Sequence, residues 1–301
     1  MRYLIFGGAN IDINAKVLNK INLRDSNVGK MNFSYGGVGR NITENLSRLV
    51  NDVYFISVFS NDAISKTMYN QLLDLGVNLN YSIFVDDSPS CYLNLMDDNN
   101  DLYLGISSME SINKMDLKMI KDIPINEDDI IIFEANLKEE IIDYLCSLNN
   151  YKVVDTISCT KALKIKNYLK NISLLKTNVL EAQAILGEYE PFFMANLFYN
   201  FGIKEVLISN GKDGLVYRGK EGLFYIRHKI VTPKSSNGAG DALLSGYVSA
   251  IQKGFDEKIK VGIASSLITL DSDFACSNEL SMSKIKEVLD DDINLLIQKI
   301  N

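Results

Sequence analysis

Histidine and cysteine are scarce in this 301-residue chain, which has one histidine, His228, and four cysteines. The cysteines stand at positions 91, 146, 159 and 276, so no Cys-x-x-Cys pair is available to begin a zinc site. This spacing predicts reduced, mostly buried thiols in a cytoplasmic protein. Catalysis that depends on histidine would rest on His228 alone.

Long apolar runs and blocks of basic residues are also missing. No run approaches the ~18 residues of a membrane span. The N-terminal apolar run, Tyr3–Phe6, is too short for a signal peptide. The formal net charge is −7, and Lys and Arg do not cluster as they do in proteins that bind nucleic acids or membrane surfaces. We therefore expect a cytoplasmic protein whose partners are small molecules, with neither nucleic acid nor membrane among them.

Several common catalytic motifs are absent as well. Gly-Lys occurs three times, but Met31, Asp213 and Glu221 follow where a Walker A loop needs Ser or Thr. The His-Arg-Asp and Asp-Phe-Gly motifs of protein kinases do not occur, and neither does the Gly-x-Ser-x-Gly motif of serine hydrolases. These absences exclude P-loop, protein-kinase and serine-hydrolase chemistry.

The sequence does contain a regular alternation of strand-like and helix-like stretches. Short apolar strands are predicted at Tyr3–Phe6, Val53–Phe59, Ile130–Phe133, Val153–Val154, Leu174–Leu175 and Val206–Ile208. Helical patterns lie between them and in the C-terminal part, at Ala239–Gly254, Ile259–Asp271 and Ser283–Leu289. Such alternation predicts an α/β fold with a mainly parallel sheet and helices on both faces.

Two regions interrupt this alternation. Residues 12–35 are polar without a clear helix, and strands are predicted at Tyr81–Val85, Cys91–Met96 and Leu102–Ile106. We expect a single domain over residues 1–301, with a small β-sheet lid formed by insertions at about 12–35 and 81–110.

The segment with the clearest chemical character is Asn237-Gly238-Ala239-Gly240-Asp241, directly before an apolar-periodic helix. Small residues let the backbone close around a ligand, and the first N–H groups of a helix lack partners inside it. At the positive end of the helix dipole they form an anion hole that suits a phosphate. Asp241 could then take a proton from an attacking hydroxyl. A tight helix start with Asp241 as its cap fits the local sequence equally well.

A second polar segment, residues 176–181, follows the strand at 174–175. Asn178 and Glu181 are three residues apart at a predicted helix start, so they share a face. The amide suits a phosphate or a metal-bound water, the carboxylate suits hydrated Mg²⁺, and Lys176 suits a phosphate. The alternative is a structural capping box with Asn178 as cap and Glu181 at the third helical position.

Glycines also mark residues 36–41, where Gly36 and Gly37 precede Asn41 at a helix start. The segment fails the dinucleotide-binding fingerprint because Ile42 stands where the third glycine is needed. Adjacent glycines followed by a polar side chain would allow a sugar to approach closely. A plain turn is the alternative.

The first predicted strand ends at Gly7-Gly8, and Asn10 and Asp12 follow it. Ligands of open α/β sheets bind beyond the carboxyl ends of the strands. Asn10 and Asp12 are therefore candidates to bind sugar hydroxyls, and an Asx turn is the alternative.

In this order and spacing, the four segments resemble the PfkB (ribokinase-like) family of sugar and nucleoside kinases, from Tyr3 to about Leu289. Each motif alone is modest, but their agreement is specific. The resemblance implies a ribokinase-like three-layer α/β/α main domain with a β-sheet lid. It also implies an enzyme that transfers a phosphoryl group from ATP, with Mg²⁺, to an alcohol group of a small molecule.

The resemblance also assigns roles to residues. It makes Asp241 the catalytic base and gives the anion hole to Gly238, Ala239 and Gly240. The acceptor would be bound by Asn10, Asp12, Gly36, Gly37 and Asn41. ATP would be bound by Lys176, Asn178, Ser209, Gly211, Gly214 and Asn237. Magnesium would be held, through water, by Glu181 and Glu134.

Within the family, residues 7–12, 25–30 and 34–46 resemble the pseudouridine kinases more than ribokinase or fructokinase. This implies phosphorylation of the 5′-hydroxyl of a ribonucleoside, pseudouridine first, with Asn27 and the strand around Ser90 near the base. A kinase of another nucleoside or sugar (ribose, adenosine, inosine or fructose) is the alternative, and a non-catalytic nucleoside-sensing module is a more remote one. Similar proteins also suggest a homodimer through the lid.

One departure concerns the residues before the glycines. The family usually has Asp-Thr there, and this chain has Ser235-Ser236. The missing carboxylate lies where a monovalent cation is usually held. We therefore expect weak dependence on potassium.

Overall fold

The structure is a computed structural model that describes residues 1–99, 101–291 and 293–300, with the side chain of Leu102 excepted. Asn100, Asp292 and Asn301, which fall within the predicted domain range 1–301, lie outside the described residues. The single-domain assignment stays a prediction.

The strands are β1 Tyr3–Phe6, β2 Asn10–Val17, β3 Gly29–Gly36, β4 Val53–Ile56, β5 Val58–Ser60, β6 Ile83–Val85, β7 Cys91–Met96, β8 Leu102–Ser108, β9 Ile130–Glu134, β10 Tyr151–Asp155, β11 Leu174–Asn178, β12 Glu205–Ser209, β13 Leu215–Gly219, β14 Gly222–Arg227 and β15 Leu296–Ile300. The α-helices are α1 Val38–Ser47, α2 Ala63–Asp74, α3 Leu117–Lys121, α4 Glu139–Ser147, α5 Cys159–Ala162, α6 Val179–Leu186, α7 Pro191–Asn200, α8 Ala239–Ser249, α9 Phe255–Leu270 and α10 Met282–Asp290.

The main sheet has nine strands in the order β15-β14-β13-β12-β11-β10-β9-β1-β4. The strands from β4 to β12 in this order pair in parallel, and β13, β14 and β15 extend one edge in antiparallel pairs. The mainly parallel sheet is therefore confirmed. The antiparallel edge was not predicted, and its last strand comes from the C-terminal end of the described chain.

Helices cover both faces of this sheet, as the three-layer prediction requires. In β1, Leu4 and Phe6 pack into one buried apolar cluster, whereas Tyr3 and Ile5 pack into another on the opposite face. Alternation of side chains along a strand produces this division. Helices α4, α6 and α7 contribute to the first cluster, and α1, α2, α8 and α9 contribute to the second. In the described part of the chain, no helix is both long and apolar enough to cross a membrane.

A separate four-stranded sheet forms the lid, in the order β3-β2-β7-β8. This sheet confirms the predicted lid. The strand predicted at Tyr81–Val85, the first strand of the second insertion, does not belong to it, so that part of the prediction is wrong. Residues 83–85 pair instead with β5 in a two-stranded sheet. The reason is local packing, because the Phe84 ring lies 5.8 Å from Phe59 and 4.9 Å from Tyr69. The stretch Val53–Phe59 accordingly divides into β4 and β5.

The lid sheet has one polar and one apolar face, because successive side chains of a strand point to opposite sides. The strand register places these polar side chains on one face: Asp12, Asn14, Asn32, Ser34, Tyr92, Asn94 and Ser107. It places these apolar side chains on the other: Ile13, Met31, Phe33, Leu93, Leu95, Leu104 and Ile106.

Candidate active site

The carboxyl ends of four neighbouring parallel strands bring polar side chains to one edge of the main sheet. In the register, Asp155 at the end of β10 lies beside Glu134 of β9 and Lys176 of β11. Asn178 lies beside Ser209 at the ends of β11 and β12. Open α/β sheets bind ligands at this edge. The fold thus assembles residues that are far apart in the sequence.

The N-terminus of α8 meets this edge and has the geometry of an anion hole. Gly238 is the N-cap residue, with φ 76° and no side-chain cap on the helix. A Cβ at Gly238 would overlap the carbonyl of Ala275, so only glycine fits. The first N–H groups of α8 are therefore left for a ligand. The interpretation of Asp241 as the helix cap is wrong, because Gly238 occupies that position.

Asp241 is buried, and its carboxylate accepts a hydrogen bond from Asn41 Nδ2 at 2.9 Å. Burial and the negative charge of Asp155 raise the pKa of Asp241 to about 7, against the opposing influence of Lys176 and Asn41. A carboxyl that titrates near neutral pH is suited to take a proton from a substrate hydroxyl. The contact with Asn41 also joins α8 to the glycine-rich start of α1.

Lys176 places a positive charge beside the start of α8. Its Nζ lies 2.8 Å from Asp155 Oδ2, and both side chains are buried. A Cβ at position 240 would lie 2.6 Å from Nζ, so glycine there lets the ammonium group approach the start of α8. Burial alone would lower the pKa of Lys176, but the charges of Asp155, Asp241 and Glu181 raise it above its usual value. The ammonium group therefore stays charged at neutral pH.

Asn178 and Glu181 form the capping box that the sequence left as an alternative. Asn178 Oδ1 accepts from Glu181 N at 2.9 Å, and Glu181 Oε2 accepts from Asn178 N at 3.0 Å. Glu181 also accepts hydrogen bonds from Thr156 Oγ1 at 2.6 Å and Asn178 Nδ2 at 2.7 Å. The capping box is therefore present, and it fixes the Glu181 carboxylate at the carboxyl edge of the main sheet.

Glu134 is fully buried at the end of β9, where its two oxygens accept from Gly8 N at 2.7 Å and Asn136 N at 2.6 Å. Burial raises its pKa to about 7, although these hydrogen bonds and the charge of Lys161 favour the ionised form. Glu134 therefore connects the turn after β1 to the acidic edge of the sheet.

The acidic edge suits a hydrated magnesium ion better than a directly bound one. Among residues 1–99, 101–291 and 293–300, no group of three or more His, Cys, Asp or Glu side chains is arranged to hold a metal. Both oxygens of Glu134 and of Glu181 already accept hydrogen bonds from the protein. Carboxylate oxygens retain further lone pairs, which can accept from metal-bound waters. Magnesium keeps several of its waters when it binds proteins, so these residues fit it.

The proposed acceptor residues Asn10, Asp12, Gly36, Gly37 and Asn41 come together where β2, β3 and α1 meet. Asn10 Nδ2 donates to Asp12 Oδ1 at 2.5 Å. Burial raises the pKa of Asp12 to about 6, while Asn10 and Arg40 lower it. A Cβ at Gly36 would overlap the Asp12 carboxylate, and one at Gly37, where φ is 97°, would lie 2.9 Å from Asn10 Oδ1. Both glycines therefore make room for these two polar side chains.

Ser90 and Asn27, predicted to contact a base, have different surroundings. Ser90 is buried beside Ile11, and its hydroxyl lies 2.6 Å from Ser111 Oγ. Asn27 is exposed in the β2–β3 loop, where it hydrogen-bonds the backbone of Asn22. That loop lies at the opposite end of the hairpin from Asn10, roughly 23 Å away at 3.3 Å per residue. The structure does not bring Asn27 to the other predicted residues of the same chain.

A cleft of about 410 Å³ borders the start of α8. Its lining includes predicted nucleotide-binding residues together with the start of α8: Asn178, Ser209, Gly211, Gly214, Ala239 and Gly240. Apolar side chains of the segment after β14, such as Ile230 and Val231, form another wall. Asn237 is exposed and outside this lining, whereas its neighbour Ser236 belongs to it.

Sequence reasoning did not single out Asp155 or Lys161. Asp155 directly follows the predicted strand Val153–Val154, so the rule that ligands bind beyond the carboxyl ends of strands could have found it. Lys161 is half-buried, and burial lowers its pKa while the charge of Glu134 raises it. No local motif marks Lys161, and its position became visible only in the fold.

The pfkB family of carbohydrate kinases matches residues 2–275, and the chain therefore belongs to this family. The pseudouridine kinase of Escherichia coli K12 is 28% identical over 295 residues, 94% of each chain. A putative sugar kinase from Clostridium perfringens has a TM-score of 0.84 at 24% identity, covering 99% of this chain and 97% of that one. Arabidopsis thaliana ribokinase, solved with ribose and ATP, has a TM-score of 0.79 at 16% identity, covering 96% and 98%.

These likenesses confirm the ribokinase-like α/β fold and the kinase class. The protein is a sugar or nucleoside kinase of the pfkB family.

Proposed function

We propose that this protein uses ATP to phosphorylate the 5′-hydroxyl of a ribonucleoside, and that pseudouridine is its substrate. The observation that carries the proposal is the hydrogen bond from Asn41 to Asp241, which joins the acceptor residues to the anion hole. The likeness to a pseudouridine kinase over 94% of the chain supports the choice of nucleoside.

In this proposal Asn10, Asp12 and Asn41 bind the ribose and hold its 5′-hydroxyl near Asp241. Asp241 accepts the proton as the hydroxyl oxygen attacks the γ-phosphorus of ATP and the bond to the β-phosphate oxygen breaks. ADP leaves from the cleft lined by Ser209, Gly211 and the start of α8. Positioning of the two substrates is a large part of such catalysis.

The transferred group is stabilised by charge rather than by covalent chemistry. The N–H groups at the start of α8 donate to its oxygens, and the Lys176 ammonium group adds a positive charge beside Gly240. Magnesium bound with ATP would neutralise phosphate charge, with Glu134 and Glu181 holding its waters. The lid excludes water from the reacting groups.

A substrate panel tests the proposal directly. ATP consumption with pseudouridine, uridine, adenosine, ribose and fructose is expected to give the highest kcat/KM with pseudouridine. A preference for a free sugar or for another nucleoside would contradict the assignment of pseudouridine. No turnover with any of them, at normal ATP binding, would contradict catalysis of this class.

Replacing Glu181 with glutamine is expected to raise the Mg²⁺ concentration for half-maximal activity by about 10- to 100-fold, the usual cost of losing an outer-shell partner of a metal. Glutamine also suits the third position of a capping box, so the helix start is retained. The measurement is a magnesium titration at saturating ATP. An unchanged titration would leave Glu181 with the cap role alone.

Potassium is expected to activate this enzyme only weakly compared with sodium. Ser235 is half-buried, carries no charge, and accepts a hydrogen bond from Asn237 N at 3.2 Å, so it offers no carboxylate to a cation. The matched variant Ser235→Asp should increase the ratio of activity in potassium to activity in sodium. Strong potassium activation of the unmodified protein would contradict this expectation.

We also propose a homodimer through the apolar face of the lid. Met31, Phe33, Leu104 and Ile106 on this face are 46–59% exposed. A contiguous apolar surface of this kind marks an interaction site, and a two-fold axis would allow the same face of a second copy to cover it. Light scattering should show a dimer that Phe33→Asp converts to a monomer. Asn32→Asp, on the opposite face of the same strand, is the matched control and should stay dimeric.

A further inference from the structure

Two asparagines occupy the middle of lid strands, where asparagine is unfavourable. Asn14 of β2 and Asn94 of β7 lie directly opposite each other in the register. Both are half-buried; Asn14 is the fifth of eight residues in β2, and Asn94 is the fourth of six in β7, just before a register shift between Leu95 and Met96. Because asparagine is depleted in strands, this placement indicates a function other than sheet formation.

The two side chains hydrogen-bond to each other and still have unused donor and acceptor groups. Asn94 Nδ2 donates to Asn14 Oδ1 at 3.2 Å. In the described part of the chain, no other hydrogen bond of these side chains is present. An asparagine amide has two N–H donors and an acceptor oxygen. The pair therefore presents the donors of Asn14 Nδ2 and the acceptor Asn94 Oδ1 next to each other.

The pair lies on the same lid face as the proposed ribose contact. Asn10, Asp12 and Asn14 alternate along β2, so their side chains share the polar face. Asp12 and Asn14 are ~7 Å apart along the strand, a span comparable to that between the hydroxyls of a ribose and the edge of its base. Tyr92 closes this face beside Asn94, since a Cβ at Gly105 would lie 3.2 Å from its hydroxyl.

We infer that Asn14 and Asn94 bind the base of the nucleoside and select for it over a free sugar. The inference rests on the proposed function. Adjacent N–H and C=O groups, as in the imide edge of a uracil-type base, complement the donor and acceptor that the pair presents. A free sugar would leave both amides without partners. The specificity for a base thus comes from the lid strands β2 and β7, in place of Asn27.

The experiment compares Asn14→Ala, Asn94→Ala and the control Asn149→Ala, which changes an exposed asparagine before β10 at the other end of the main sheet. Each purified variant is assayed with pseudouridine and with ribose, and its ATP Kd and melting temperature report folding. Either lid variant is expected to lower kcat/KM for pseudouridine by about 10- to 100-fold, the usual effect of a lost hydrogen bond that leaves polar groups unpaired. Activity with ribose, ATP binding and the control should stay as in the unmodified protein.

The outcomes separate the inference from the proposed function. If the unmodified protein prefers pseudouridine but both lid variants keep that preference, the inference is overturned and the proposed function stands. An equal loss with pseudouridine and ribose, at normal ATP binding, would also overturn it, because the pair would then only support the ribose site. If the unmodified protein phosphorylates sugars but no nucleoside, both are overturned.

Discussion

Replacing Asp241 with asparagine is expected to lower kcat by roughly 10²- to 10⁴-fold, the usual contribution of a general base. Asparagine keeps the size of the side chain but cannot accept the proton of the 5′-hydroxyl. ATP binding should change little, because the cleft lined by Ser209, Gly211 and Gly214 is intact. Steady-state kinetics and calorimetric titration of ATP measure the two effects separately.

The pH dependence gives an independent check on Asp241. Its pKa lies near 7 because of burial and the charge of Asp155, so the ionised base accumulates as the pH rises through 7. Turnover of the unmodified protein should rise over the same range. Burial also raises the pKa of Glu134 to about 7 and that of Asp12 to about 6, so Asp241→Asn should reduce this rise and leave the part that comes from those two carboxyls. The matched control is Asp256→Asn, which removes an exposed carboxylate from the first turn of α9. Near-normal turnover of Asp241→Asn would contradict its assignment as the base.

Folding stability should respond in the opposite direction. The pKa of Asp241 is higher in the folded protein than the 3.8 of a free aspartate, so the folded state binds more protons between these values. Stability then falls as the pH rises from about 4 to 7. At pH 8 the ionised carboxylate disfavours folding, and Asp241→Asn should melt at the same temperature as the unmodified protein or higher. A clear fall in melting temperature would show that the ionised carboxylate stabilises the fold.

Replacing Lys176 with methionine is expected to impair both activity and stability. The oxygens of the transferred phosphoryl group would lose the ammonium group beside Gly240, which should lower kcat by about 10²- to 10³-fold. Asp155 would remain as a buried carboxylate without its ion-pair partner. Breaking a buried pair in this way typically costs ~3–5 kcal/mol of unfolding free energy. Urea denaturation and steady-state kinetics are the measurements.

A double variant separates these two contributions. Lys176→Met combined with Asp155→Asn removes both buried charges, and the amide can still accept the hydrogen bond from Ile157 N that Asp155 Oδ1 accepts at 2.8 Å. Stability should recover in part in the double variant, because Asp155 no longer leaves an unpaired charge, whereas Asp241 and Glu181 still lack the opposite charge of Lys176. Activity should stay low because the positive charge is still missing. Recovery of both would show that Lys176 acts only through the ion pair.

Local patterns in the sequence were sufficient to predict two helix starts of the candidate site. The glycines before Asp241 and the spacing of Asn178 and Glu181 both mark helix starts, and the structure has helix starts at both places. These features depend on residues within one helical turn, where spacing determines which groups can meet. The same reasoning could not decide between a cap and a ligand site, because both use the same residues.

Local sequence patterns could not predict the contacts between distant parts of the chain. Asn41 and Asp241 are separated by 200 positions in the sequence but share a hydrogen bond. Asp155 meets Lys176 only because β10 and β11 are neighbours in register. Residues 83–85 are strand-like, but their aromatic contacts, rather than their propensity, pair them with β5 instead of with the lid strands.

By itself, the sequence determined the alternation of strands and helices, the positions of the glycine-rich helix starts and the resemblance to one kinase family. Periodicity and turn residues encode these features locally. Tertiary structure alone decided that Asp241 is buried among other charges, which gives it a pKa near 7. It also decided that Asp12, Asn14 and Asn94 lie together on the polar face of the lid. Burial and strand register depend on the whole chain, so no short segment can specify them.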